Sequence, residues 1–87
     1  MNVTMFFHGG SSYACFDTNS EQDAETFSSL ARAKDVFASR ANNQDSYYPC
    51  VESAEAWIFK GANVIGQDYP DYILRMGPKG GVIQERA

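Results

Sequence analysis

Only one stretch of this chain carries apolar residues at the spacing of an α-helix, and this limits the folds that are open to it. Its apolar stripe consists of Leu30, Ala33 and Phe37, flanked by Val36 and Ala41. A hydroxyl at Ser28 or Ser29 can accept a hydrogen bond from a first-turn amide, and Phe27 then lies just outside the helix as an anchor. We therefore predict a helix from about residue 28 to residue 41 that packs on a sheet.

The N-terminal part of the chain is typical of a β-hairpin. Residues 2–8 and 13–16 are rich in β-favouring types and flank Gly9 and Gly10. A two-residue turn there gives two faces: Val3, Met5, Phe7, Ala14 and Phe16 on one, and Thr4, Phe6, His8, Tyr13 and Cys15 on the other. The first face is the better core. A longer turn through Ser11 or Ser12 would change this pairing.

The C-terminal part of the chain predicts three further strands. Residues 54–60 place Ala56 and Ile58 on one side and Glu55, Trp57 and Phe59 on the other, although the Ala-Glu start leaves a helical turn open. Residues 61–69 form a loop in which Val64 and Ile65 can act as a plug. Residues 72–76 and 82–86 flank a glycine-rich turn and predict a second hairpin.

These elements define the expected fold class. We predict an α+β fold in which a single amphipathic helix packs on a small antiparallel sheet, in the order ββαβββ. The chain has 87 residues, of which 44% are hydrophobic, and this suits one compact domain over residues 1–87.

The charge balance disfavours general binding to nucleic acid. Eleven acidic residues against seven basic ones give a net charge of −4, which opposes docking on a phosphate backbone. A local basic edge remains open at the C-terminal end, where Arg75, Lys79 and Arg86 lie.

The cysteines and the hydropathy pattern indicate a chain without a metal, a cofactor or a membrane segment. Cys15 and Cys50 are far apart in sequence and fit no metal-binding or redox motif. No apolar run approaches the roughly 20 residues of a membrane span, and the N-terminus lacks the basic start and the long apolar stretch of a signal peptide. We therefore expect a cytoplasmic protein with two reduced thiols.

The residues that could support catalysis do not form a convincing group. His8 and Cys15 share a face of the first hairpin, but in the two-residue-turn register they are separated along the strands. Asp68 and Asp71 flank a Tyr-Pro pair, where carboxylates more often cap nearby amides than bind a cation. We expect no enzymatic activity and no catalytic residues.

Aromatic residues are the best functional feature of the sequence. One helix covers only one face of a sheet, so rings on the other face are available for contacts. The alternative is that segments 42–53 and 61–71 fold back and bury them. The candidate partner-binding residues are Phe6, Tyr13, Trp57, Tyr72, Arg75 and Lys79.

A set of turn and cap motifs extends over most of the chain after residue 27: Phe27-Ser28-Ser29-Leu30, Ala33-Lys34, Phe37, Tyr48-Pro49-Cys50-Val51, Tyr69-Pro70-Asp71 and Gly77-Pro78-Lys79-Gly80-Gly81-Val82. In these motifs the chain resembles small uncharacterised accessory proteins of phages that infect mycobacteria and related actinobacteria. The resemblance implies a compact product that acts in the bacterial host cytoplasm by binding a host or phage protein. It implies no catalytic residues.

Two functional hypotheses follow. The first is a non-enzymatic module that binds a protein through an exposed sheet face or a sheet edge such as residues 82–86. The second is a small nucleic-acid-binding protein that stacks bases on aromatic rings and holds phosphates with Arg75, Lys79 and Arg86. The second requires these three charges to converge beside exposed rings.

The unpatterned cysteines lead to a prediction about stability. Neither a metal chelator nor a reductant should change the thermal unfolding midpoint, because we expect Cys15 and Cys50 to be neither ligands nor bridged. Thermal melts followed by circular dichroism test this. A large drop in the midpoint with either reagent would contradict it.

Overall fold

The computed structural model describes residues 1–8, 18–42, 54–78 and 81–86, and these form one helix and five strands. The elements are β1 (Val3–His8), β2 (Glu25–Phe27), α1 (Leu30–Asn42), β3 (Glu55–Lys60), β4 (Tyr72–Met76) and β5 (Val82–Arg86). The predicted α+β class and the order ββαβββ are confirmed.

All neighbouring strands of the sheet are antiparallel, and their spatial order is β2-β1-β3-β4-β5. β1 pairs with β3 along its whole length, from Val3 opposite Lys60 to His8 opposite Glu55. β4 and β5 continue the sheet as a hairpin, in which Tyr72 lies opposite Arg86 and Met76 opposite Val82. The N-terminal strand therefore lies inside the sheet, with β2 on one side and β3 on the other.

The second of the described strands is formed by residues that the sequence did not predict as a strand. Residues 13–16 lie outside the described residues, so the predicted N-terminal hairpin is not tested. Residues 25–27, for which the sequence predicts only that Phe27 anchors the start of the helix, form a strand that pairs with Val3–Met5 of β1. Phe27 does pack against the core as expected, but it does so from a strand.

The helix begins where its cap predicts. The Ser29 hydroxyl accepts a hydrogen bond from the Arg32 N–H (3.1 Å), and the Ser29 carbonyl accepts one from the Ala33 N–H (3.2 Å). Ala33, Phe37 and Ala41 are fully buried, which confirms the predicted stripe. Within the described part of the chain, no helix is long and apolar enough to cross a membrane.

The main core lies between α1 and one face of the sheet. It contains Val3, Met5, Ala33, Phe37, Ala41, Ala54, Ala56, Ile58, Leu74 and Met76. The Phe37 ring meets the Phe7 ring edge-on, with centroids 5.8 Å apart. Arg40 forms a two-pronged ion pair with Glu25 and lies over the Phe7 ring, so it ties the last turns of α1 to β2 and β1. The helix-facing side predicted for β1 and β3 is confirmed.

Phe37 gives a direct test of this core. Because its side chain is fully buried, Phe37→Ala should lower the free energy of unfolding by about 3–5 kcal/mol, a large part of the stability of a small domain. Asp35→Ala, on the exposed side of the same helix, is the matched control and should change stability by less than about 0.5 kcal/mol. Chemical denaturation measures both. A Phe37→Ala variant as stable as the control would show that the ring is not part of the core.

Candidate functional site

The sheet face opposite α1 has one part that a described loop covers and another part that is more exposed. Residues 61–64 fold over the end near β2 and β1, where Thr4 is the anchor. The Thr4 hydroxyl donates a hydrogen bond to the Gly61 carbonyl (2.9 Å) and accepts one from the Val64 N–H (3.1 Å). The Thr4 residue is fully buried, so both backbone groups are satisfied by one buried side chain.

Further hydrogen bonds hold the same loop in place. Gly61 adopts a φ of 110°, which suits glycine, and donates its N–H to the Asn2 carbonyl. The Thr26 hydroxyl donates a hydrogen bond to the side-chain oxygen of Asn63 and accepts one from the Asn63 N–H. Of the two predicted plug residues, Val64 is half-buried, whereas Ile65 is 36% exposed.

Phe6 is not an exposed contact residue, and that part of the prediction is wrong. Its side chain is only 2% exposed and packs edge-on against Phe59, with centroids 5.6 Å apart. The two residues belong to adjacent central strands, on the face opposite α1. Their mutual packing gives the sheet a second small apolar cluster there.

Among the described residues, the more exposed part of this face is formed by β3, β4 and β5. Its apolar residues are Trp57 and Ile73, both half-buried, and Ile83, which is 42% exposed. Trp57 lies directly opposite Ile73. Its indole N–H donates to the Glu55 carboxylate (3.1 Å), which fixes the ring in the middle of the surface. We call Trp57, Ile73 and Ile83 the open patch.

A line of charges crosses the open patch from strand to strand. Arg75 of β4 lies between two carboxylates: its guanidinium is 2.9 Å from Glu85 of β5 and 3.8 Å from Glu55 of β3. All three side chains are partly exposed, so each pair adds little stability, in the range of about 0–1 kcal/mol. The arrangement orients the three charges and leaves Glu85 as the outermost one.

Tyr72 and Arg86 do not join this surface. Tyr72 lies opposite Ile58 and packs against the main core, with the Lys60 ammonium 5.8 Å from its ring centroid. Arg86 lies opposite Tyr72 and shares that side of the sheet, whereas Arg75 faces the other side. The predicted basic edge is therefore split between two faces. Tyr13 and Lys79 lie outside the described residues.

The described residues offer little that resembles a catalytic centre. One cavity of about 390 Å³ is lined by Glu21, Ala24, Asn63 and Ile65, and another of about 230 Å³ by Lys60, Pro70, Asp71, Tyr72 and Arg86.

Asp71 accepts a hydrogen bond from the Lys60 N–H (2.7 Å), as predicted for a capping residue. His8 belongs to β1, and Cys15 lies outside the described residues, so their pairing is not tested. No cluster of potential metal ligands occurs among the residues that the structure describes.

β5 forms one edge of the sheet, as the order of strands requires. Its outer side has no strand partner in the described ranges. Val82 is half-buried, and the other four residues of the strand are exposed. The open patch therefore continues to a sheet edge.

Comparison of the chain with known protein families, with curated proteins and with solved structures finds no significant match. The open patch and the β5 edge are therefore the features from which a function can be proposed.

The sequence predicts Trp57 and Arg75 as site residues but not Ile73, Ile83 or Glu85. The signal for these three was the register of the second hairpin. Once Tyr72 is placed opposite Arg86, Arg75 lies opposite Ile83 and Ile73 opposite Glu85. Period-two alternation then assigns all of these side chains to the face of Trp57.

The hydrogen bonds of the Thr4 hydroxyl to Gly61 and Val64 lead to a prediction about what holds this loop over the sheet. Thr4→Val keeps the shape of the side chain but leaves the Val64 N–H and the Gly61 carbonyl without their partner, which should cost about 1–3 kcal/mol. Amide hydrogen exchange should become faster at Val64. Thr26→Val removes an exposed hydrogen bond to Asn63 of the same loop and is the comparison: because water can replace the exposed bond, its effect should be smaller. Unchanged exchange at Val64 in Thr4→Val would contradict the anchoring role.

Proposed function

We propose that this chain is a non-enzymatic interaction module, a phage accessory protein that binds a host or phage protein through the open patch and the adjoining β5 edge. The resemblance in the turn and cap motifs supports the phage context. In that context the module acts in the cytoplasm of the bacterial host.

The observation that carries the proposal is the exposure of Ile83 on an edge strand, next to two half-buried apolar side chains. Ile83 is 42% exposed, and Trp57 and Ile73 supply apolar area beside it. Interfaces are typically centred on such a group, with an aromatic ring at the middle and polar residues at the rim. The rim is present here as Glu55, Arg75 and Glu85.

The charges weigh against the alternative of nucleic-acid binding. Arg75 is balanced by two carboxylates, and Arg86 lies on the other side of the sheet. The net charge of −4 adds repulsion from phosphates. A protein partner requires neither a cluster of cations nor a catalytic centre.

Two matched substitutions test the proposal. Ile83→Asp introduces a charge into the open patch, whereas Ile65→Asp introduces the same charge at similar exposure on the loop that covers the other part of this face. With the purified chain as bait in a host lysate, Ile83→Asp should lose the bound protein by at least about tenfold, or about 1.4 kcal/mol. Ile65→Asp should retain it.

Circular dichroism and thermal melts must show that both variants are folded. Equal retention by the two variants would contradict a role of the open patch. Equal loss by both would point to a general effect of the added charge, and would contradict it as well. A bound species removed by nuclease in the wild-type sample would favour nucleic acid instead.

A further inference from the structure

The outer side of β5 presents backbone groups in a fixed pattern. Gly77 donates its N–H to the Gly81 carbonyl (2.7 Å) and so closes the β4–β5 hairpin. Hydrogen-bonded and non-hydrogen-bonded positions alternate along an antiparallel pair. Ile83 and Glu85 therefore exchange bonds with β4, and the N–H and carbonyl of Gln84 point away from the sheet.

This pattern determines how an added antiparallel strand would meet β5. The new strand would exchange hydrogen bonds with Gln84. Ile83 and Glu85 would then lie at non-hydrogen-bonded positions, where side chains on opposite strands are closest. The residues facing these two positions are consequently the ones that β5 can select most strongly.

The charges of β5 specify what those residues should be. On the open-patch side, the line Glu55, Arg75, Glu85 alternates in sign and ends on a carboxylate that is 45% exposed. A basic residue on the next strand would continue the alternation. On the other side of the sheet, Arg86 has no ion-pair partner among the described residues, so an acidic residue fits opposite it.

We propose, building on the function proposed above, that the partner contributes an extended segment that adds to β5 as an antiparallel strand, with the residue order acidic, basic, any, apolar. The acidic residue faces Arg86 and the basic residue faces Glu85. The apolar residue faces Ile83 and extends the open patch. This is strand addition, in which the backbone supplies affinity and alternate side chains supply specificity.

A second copy of the chain fits this edge poorly. Antiparallel pairing of two β5 strands centred on Gln84 places Glu85 opposite Ile83 and Arg86 opposite Val82. Every charge would then face an aliphatic side chain rather than an opposite charge. The edge is therefore better matched to a foreign segment than to itself.

Short blocked peptides of equal composition test the proposal. One carries Glu-Lys-Thr-Val at its centre, the second carries Lys-Glu-Thr-Val, and the third carries the reversed order Val-Thr-Lys-Glu. Each is titrated into the isotope-labelled full chain while the amide signals of β5 are followed. The first peptide should shift and protect the Gln84 amide, and it should bind about tenfold tighter than the second and the third.

A charge swap in the protein provides the reciprocal test. The double variant Glu85→Arg with Arg86→Glu should prefer the second peptide. If that variant does not fold, Glu85→Gln should reduce the preference between the first and second peptides, because one of the two charge pairs is lost. An unchanged preference in the folded variant would overturn the proposal.

Other outcomes separate this inference from the function it rests on. Equal binding of the first and third peptides would overturn the antiparallel direction. Absence of binding by all three, together with loss of the captured protein in Ile83→Asp only, would overturn strand addition and leave the interaction module standing. A wild-type dimer in sedimentation that Ile83→Asp dissociates would overturn the choice of a foreign segment.

Discussion

The full-length pairing of β1 with β3 is the constraint on which the rest of the structure depends. Because all six residues of β1 face a residue of β3, the side-chain alternation of one strand determines that of the other. Val3 and Met5 are directed to α1 together with Ile58, while Thr4 and Phe6 are directed to the opposite face together with Phe59. A shift by one residue would place Thr4 in the main core and Met5 under the loop.

The same pairing explains why the open patch lies where it does. The centre of the sheet is buried on both faces, by α1 on one side, and on the other by the packing of Phe6 on Phe59 and by the loop that Thr4 anchors. The apolar residues of this face that remain partly exposed lie farther along the sheet, on β3 to β5. Their charged neighbours keep the surface polar at its rim, which is compatible with a folded protein that exposes a contact area.

Local signals in the sequence predicted the helix, the strand faces and the second hairpin well, because each depends on residues close together in the chain. Ser29 caps the helix, and the glycine-rich turn after Met76 joins β4 to β5. The strand Glu25–Phe27 was missed because three residues carry almost no periodic pattern, and its partner lies far away in sequence. The burial of Phe6 was missed for a related reason, since it depends on Phe59, which is equally remote. The functional surface could be predicted in part, through Trp57 and Arg75, and the remainder required the register of the last hairpin.

The internal position of β1 also has a consequence for how the chain is made. β1 comes before the other described strands in the chain, yet its longest pairing is with β3, whose last residue is Lys60. Until that residue has emerged, the short strand β2 is the only one of the described strands that can pair with β1. Non-local pairing of this kind slows folding and leaves apolar strands open to wrong associations during translation. The nascent chain is thus most vulnerable to aggregation in the interval between the release of Val3 and the release of Lys60, and assistance by a chaperone would be most useful there.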